Sequence, residues 1–250
     1  MAKYFFAKNE RSGDIITLQN ERAHHLNNVL RYKISDKILL CDGMGMDYVA
    51  SLEHVSKNGL TLRIISESES HTELPFNVTL YQGLPKGDKM DWVIEKAVEI
   101  GVTKIIPIET EHSVVKIKEP RKKQERYQRI AKAAASQSMR SVIPDIASPV
   151  SFDLALCDQS EHGVCLVAHE KENRRNIKSA IYGISPVDVS VWIGPEGGFS
   201  EKEIIALENK NAKTVSLGPR TLRSETAGLV AISQIISIWD GCVISQGEKS

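Results

Sequence analysis

From Val78 onward the chain alternates apolar runs of strand length with stretches of helical pattern. Val78–Gln82 is followed by a helix from about Asp88, Lys104–Ile108 by a long helix after Pro120, and Val164–Ala168 by Val189–Ile193 with a helix after Ser200. Thr214–Leu217 then leads into a helix after Ser224. Such alternation predicts a mostly parallel sheet with helices on both faces. The helices carry their own punctuation: Pro120 suits a first turn, Gly101 a C-terminal stop, and Ser200-Glu201-Lys202-Glu203 reads as a capping box.

Before this stretch the rhythm differs. Between Tyr4 and Ile65 the apolar runs are short and separated by turn signals such as Asp42-Gly43 and Lys57-Asn58-Gly59, as in a small β-barrel. One helix, Glu21 to Leu30 with Asn20 as its cap, interrupts them. The polar, acidic run from Ser66 to Pro75 reads as a linker. A chain of 250 residues allows one large or two modest domains, and the change of rhythm favours two: 1–72 and 73–250.

Lys+Arg and Asp+Glu both number 32, with 41% hydrophobic and 26% charged residues. Zero net charge excludes holding nucleic acid by bulk positive charge, so a polyanion would have to be met locally. The composition is that of a soluble globular enzyme, and no signal peptide, transit peptide or membrane span is expected; the predicted location is cytoplasmic. Cys41, Cys157, Cys165 and Cys242 are widely spaced, without a CxxC, and are read as free thiols; no metal site is expected.

In an open parallel sheet ligands bind beyond the carboxyl ends of the strands. Two loops there stand out. Gly194-Pro195-Glu196-Gly197-Gly198-Phe199-Ser200 lets backbone approach a ligand closely and ends at a helix N-terminus. The second, Ser216 to Gly228, combines Gly218-Pro219 with Arg220, Arg223 and Glu225; the arginine forks suit a phosphate or carboxylate, whereas the alternative is a plain capping loop with Ser224 as cap. Neither loop is a nucleotide motif: GxxxxGK[ST] and a strand-following GxGxxG are both missing, and Gly83-Leu84-Pro85-Lys86-Gly87-Asp88-Lys89 has the wrong spacing.

Between Lys116 and Arg140 nine Lys/Arg face two acidic residues, a local excess of seven in a neutral chain, as expected for a phosphate-backbone footprint. Ala131, Ala134 and Ala135 leave one side of that helix small. His24 and His25 read as packed or surface histidines, while Arg22 and Arg31 on the same helix are phosphate candidates.

Taken together, Ile193–Phe199 and Leu217–Ala227 resemble the paired signature of the bacterial 16S ribosomal RNA uridine-N3 methyltransferases of the SPOUT superfamily. His25–Arg31, Lys86–Asp91 and Ala134–Arg140 are similar to further family segments, so the resemblance spans essentially the whole chain. It implies a PUA-like β-barrel that binds RNA, then an α/β domain whose C-terminal part forms a trefoil knot. It also implies S-adenosyl-L-methionine as cofactor and a homodimer, for which the apolar C-terminal helix (Leu229, Val230, Ile232, Ile235, Ile236, Ile238, Trp239) would supply surface.

By the same resemblance the cofactor would lie against Gly194, Glu196, Gly197, Leu217, Gly218 and Leu222. Arg223 would stabilise a uracil oxyanion and Glu225 act as base, with Glu196 a second candidate. RNA contacts are expected at Arg22, Arg31, Lys86, Lys122, Arg126, Arg140 and Arg220, on 16S ribosomal RNA within a small-subunit particle. The alternatives are another SPOUT activity, on ribose 2′-O or transfer RNA, and a non-catalytic RNA-binding assembly factor.

Overall fold

A computed structural model describes residues 2–56, 59–159 and 163–247. It divides into two compact units, one of Met1–Glu73 with Ala135–Ile143, the other of Leu74–Ala134 with Pro144–Ser250.

The first unit is a six-stranded sheet of β1 (Tyr4–Phe5), β2 (Arg11–Ser12), β3 (Ile15–Gln19), β4 (Lys37–Cys41), β5 (Met46–Val55) and β6 (Gly59–Glu69), in the order β1-β4-β5-β6-β3-β2. Only β1 and β4 pair in parallel. Alternate residues enter one core, with Ile16, Leu18, Ile38, Leu40, Ala50, Leu52 and Leu62 at zero exposure, the period of two that a one-sided sheet requires. The β4–β5 turn is closed by Asp42, whose Oδ1 accepts from the amides of Met44 (2.7 Å) and Met46 (3.1 Å).

Two expectations change here. The helix over 21–30 is a short α1 (Asn20–His24) continued by a wide turn at His25–Val29; Leu26 is fully buried and His24 exposed. The side chains of Asn20 and His25 lie outside the described set. The supposed linker begins as strand: Ser66–Glu69 belong to β6 and pair with Met46–Val49 of β5, because main-chain ladder bonds form whatever the polarity of the outward side chains. Farther along, Glu73 anchors Arg140. Its carboxylate accepts from Arg140 Nη2 at 2.6 Å and Nε at 3.1 Å, and from the amides of Ser141 and Val142.

The second unit carries the predicted parallel sheet: β7 (Val78–Gly83), β8 (Lys104–Glu109), β9 (Asp145–Ile146), β10 (Val150–Ser151), β11 (Val164–Ala168), β12 (Val189–Ile193) and β13 (Lys213–Val215). The order is β10-β8-β7-β12-β11-β13, with β9 beside β8, and every pair is parallel. The helices are α2 (Lys89–Ile100), α3 (Pro120–Gln137), α4 (Phe152–Asp158), α5 (Ile177–Ala180), α6 (Glu201–Glu208) and α7 (Ser224–Gly247). None among the described residues is long and apolar enough to cross a membrane.

The strands are apolar on both faces because both are covered. Trp192 stacks on Tyr81 at 3.9 Å, and that face packs with Phe152 of α4 and Ile204 and Leu207 of α6. On the other face α7 passes so close that a Cβ on Gly228 would lie 3.1 Å from Gln82 Oε1 and 3.4 Å from Leu80. Gly101 (φ +124°) ends α2, and Ser200 and Glu203 form the capping box of α6. Among the described cysteines, Cys41, Cys157 and Cys165 are free; the Cys242 side chain lies outside the described set.

Chain order in this sheet reverses at β7. Strands β8 and β10 extend one side, while β12, β11 and β13 lie on the other. All carboxyl ends share one edge, and the switch between β7 and β12 opens a crevice there.

Candidate active site

At that edge lies a cavity of about 930 Å³, walled by the loops after β11 (Ala168–Lys171), β12 (Ile193–Ser200) and β13 (Ser216–Arg223), with Glu111 and His112 from the loop after β8 and Lys89 from α2. The three loops are tied to one another. Ser224 Oγ donates to the Gly194 carbonyl at 2.6 Å and accepts from Gln82 Nε2 at 2.9 Å. His169 N–H donates to Val215 O at 3.1 Å, joining the β11 loop to β13. Glu203 caps α6 and also accepts from the Glu111 amide at 2.8 Å, so one carboxylate holds two walls.

Glycine is required where backbones touch. A Cβ on Gly194 would stand 2.8 Å from the Gly198 carbonyl carbon, and one on Gly83 2.4 Å from Pro195 N. Gly218 instead has φ +126° with open space beside it, and its amide donates to Ser216 Oγ at 3.3 Å within the same loop.

Charges around the cavity are nearly balanced. Lys89 Nζ lies 3.2 Å from Glu225 and 3.5 Å from Glu196, and Lys171 lies 3.6 Å from Glu201. Burial works to raise the Glu196 carboxyl, but the Lys86 amide at 3.0 Å and the Lys89 ammonium hold it below the usual carboxylate range. Glu111, Glu170, Glu196 and Glu201 face Lys89, Lys171, Lys202, Arg220 and Arg223 in its walls, so the cavity has no strong bias toward a highly charged ligand. It does fit an organic cofactor with a cationic centre: the size is that of a ligand pocket, and Ile193, Leu217, Leu222 and Ala227 offer apolar surface.

Gly194, Glu196, Gly197, Leu217, Gly218 and Leu222 all line this cavity, as do Arg220 and Arg223. Glu225 does not; its side chain, 12% exposed, pairs with Lys89. Two of the expected RNA contacts are engaged within the protein. Arg140 is 3% exposed and spent on Glu73, and Arg22 pairs with Glu10 at 2.5 Å while donating to Phe5 O at 2.8 Å; both guanidinium groups fasten the first unit. Arg31 and the Lys86 side chain are exposed, and Lys122 and Arg126 lie on α3 away from the cavity.

Sequence reasoning quoted Lys89 without giving it a role and missed His112. The His112 ring donates from Nδ1 to Gly197 O at 2.9 Å. Its position, three residues past the end of β8, obeys the same carboxyl-edge rule that singled out the other loops.

An all-parallel sheet opening at its carboxyl edge into a cavity of this kind defines an α/β enzyme that holds an organic cofactor in loops. Residues 72–236 match an RNA methyltransferase domain and residues 18–65 an RNA methyltransferase PUA domain. The ribosomal RNA small subunit methyltransferase E of Bacillus subtilis is 36% identical over 94% of this chain and 96% of its own, and that of Aquifex aeolicus 31% identical over 94% and 99%. The crystal structure of the Neisseria gonorrhoeae ribosomal RNA small subunit methyltransferase E bound to S-adenosyl methionine superposes with a TM-score of 0.85, at 31% identity over 96% of this chain and 98% of that one. The chain belongs to the RNA methyltransferase family, alongside the ribosomal RNA small subunit methyltransferases E.

Proposed function

We propose that this protein methylates N3 of a uridine in 16S ribosomal RNA, using S-adenosyl-L-methionine held in the 930 Å³ cavity. The observation that carries the reading is the joining of the Gly194–Ser200 and Leu217–Arg223 loops around that cavity, in a chain 31% identical to a cofactor-bound relative over nearly its full length.

When bound, the cofactor supplies an electrophilic methyl carbon on a sulfonium. The peptides of Leu217, Gly218 and Leu222 hold its adenine end, and Gly194 and Gly197 let backbone approach the rest. Lys89 links Glu225, outside the cavity lining, to Glu196 within it; of these two carboxylates Glu225 is the first candidate to accept the N3 proton, and Arg223, exposed, stabilises the negative charge that develops on the uracil oxygens. Glu196 is the second carboxylate on the same lysine. Lys86, Arg31 and Arg220 are exposed cations for RNA. In this reading α7 enters a trefoil knot and a homodimer interface, and the substrate is a cytoplasmic small-subunit particle.

Mass spectrometry of 16S RNA from cells lacking the protein tests this directly. N3-methyluridine should disappear and return on complementation; its persistence, or the loss of a ribose 2′-O-methyl group instead, rejects the proposal.

A further inference from the structure

A second concavity, of about 610 Å³, lies between the loop after β8 and α3. Glu109, at the end of β8, folds that loop back: its carboxylate accepts from the Ile117 amide at 2.6 Å and from Lys116 at 3.1 Å. Thr110 and Ser113 close the inner turn. On α3, Gln124 and Gln128 are consumed on the opposite side, donating to Ile146 O and Pro144 O. Lys122, Arg126 and Arg129, at i, i+4 and i+7, therefore share the face that looks into the cleft.

Six cations line this cleft, with Glu119 its one acidic side chain. Three are already answered: Lys116 by Glu109, Lys122 by Glu119 at 3.6 Å, and Arg126 by Asp91 and Asp88. Among the described residues, Lys118, Lys123 and Arg129 make no ion pair. Three cations without an ion pair in a concave wall, Arg129 steadied by its Nε donating to Glu125 O at 3.4 Å, beside a Val114 that is 66% exposed, suit a ligand with repeated negative charge and an apolar face. A nucleic-acid strand has both.

The position narrows the choice further. Glu111 and His112 line the methyl-transfer cavity, while Val114 lines the cleft; two residues of chain span at most about 7 Å. Successive phosphates of one stacked strand advance ~3.4 Å along its axis and stand farther apart than that through space, so the gap between the two sites is about one or two nucleotide steps. We infer that the cleft is a phosphodiester-binding subsite, in which Lys118, Lys123 and Arg129 hold the two or three RNA phosphates next to the target nucleotide. This rests on the RNA methyltransferase reading above and adds to it where the strand runs.

The test uses the full-length protein, a labelled 16S ribosomal RNA transcript, and Lys118→Gln/Lys123→Gln/Arg129→Gln beside the single variants. RNA affinity should fall at least about tenfold at physiological salt, and the slope of log affinity against log salt should lessen by about two, at ~0.7 per phosphate on a single strand. S-adenosylmethionine affinity by calorimetry and the thermal midpoint should be unchanged. Unaltered RNA affinity and slope, or wild-type protein that binds no RNA, overturns the subsite. Wild-type protein that binds RNA through the cleft but takes up no cofactor instead overturns the methyltransferase reading and leaves the subsite standing.

Discussion

Ser224 Oγ lies 2.6 Å from the carbonyl oxygen of Gly194, so a hydroxyl at the start of one helix fixes a loop 30 residues earlier in the chain. The same hydroxyl accepts from the buried Gln82 amide at the end of β7. Ser224→Ala would leave a buried donor without its acceptor, which costs about 1–3 kcal/mol. Denaturant unfolding should show a loss in that range, and calorimetry should show weaker cofactor binding with the fold retained.

Gly194 and Gly218 should respond differently to alanine. At Gly194 the new methyl meets Gly198 backbone at 2.8 Å, and neither loop can yield without reshaping the cavity; overpacking of this kind costs about 1–3 kcal/mol. Cofactor affinity should fall more than tenfold. At Gly218 nothing obstructs the methyl, but φ is +126°, so strain alone acts and both losses should be smaller.

Lys89 holds Glu196 and Glu225 together. In Lys89→Met the two carboxylates face each other without a cation, and the Glu196 carboxyl, now held low partly by that ammonium, rises. Turnover should drop, and the acid limb of the kcat/KM profile should move to higher pH. Lys89→Arg should restore much of both. An acid limb that stays in place in Lys89→Met would show that these carboxylates do not govern the profile.

Glu73 offers a pH test of the first unit. Burial works to raise its carboxyl, but Arg140 and the amides of Ser141 and Val142 more than offset this, so the folded value lies below the ordinary 4.5. A depressed carboxylate contributes stability that is complete above its unfolded value and is lost as pH falls through the folded one. Stability should thus decline below about pH 4.5, less steeply in Glu73→Gln. At neutral pH, Glu73→Ala removes the carboxylate that faces a buried guanidinium, at a cost of about 3–5 kcal/mol; urea titrations at several pH values measure both.

The parts of the fold that were legible in the sequence are those with a local cause. The apolar runs of β7, β8, β11 and β12, the Ser200/Glu203 capping box and the Gly101 stop each need only neighbours in the chain, and the carboxyl-edge rule turned the glycine loops into site candidates. Other parts depend on distant partners. Strands β9 and β10 are two residues each and carry no pattern. Ser66–Glu69 became strand only because β5 lay ready to pair with it. Charge counting could not distinguish Arg140, neutralised by a glutamate 67 positions earlier, from Arg129, which makes no ion pair among the described residues. Lys89 looked like one more lysine in a polar loop until two carboxylates arrived from residues over 100 positions away.

The Thr110–Glu119 segment borders both concavities, with Glu111 and His112 on one side and Val114 to Glu119 on the other. Any shift of this segment that one ligand requires is therefore felt by the other. Thermodynamic reciprocity then fixes the size of the effect: the factor by which cofactor tightens RNA binding is the factor by which RNA tightens cofactor binding. Order of addition then sets the route and leaves the final affinity unchanged, as for any pair of coupled sites.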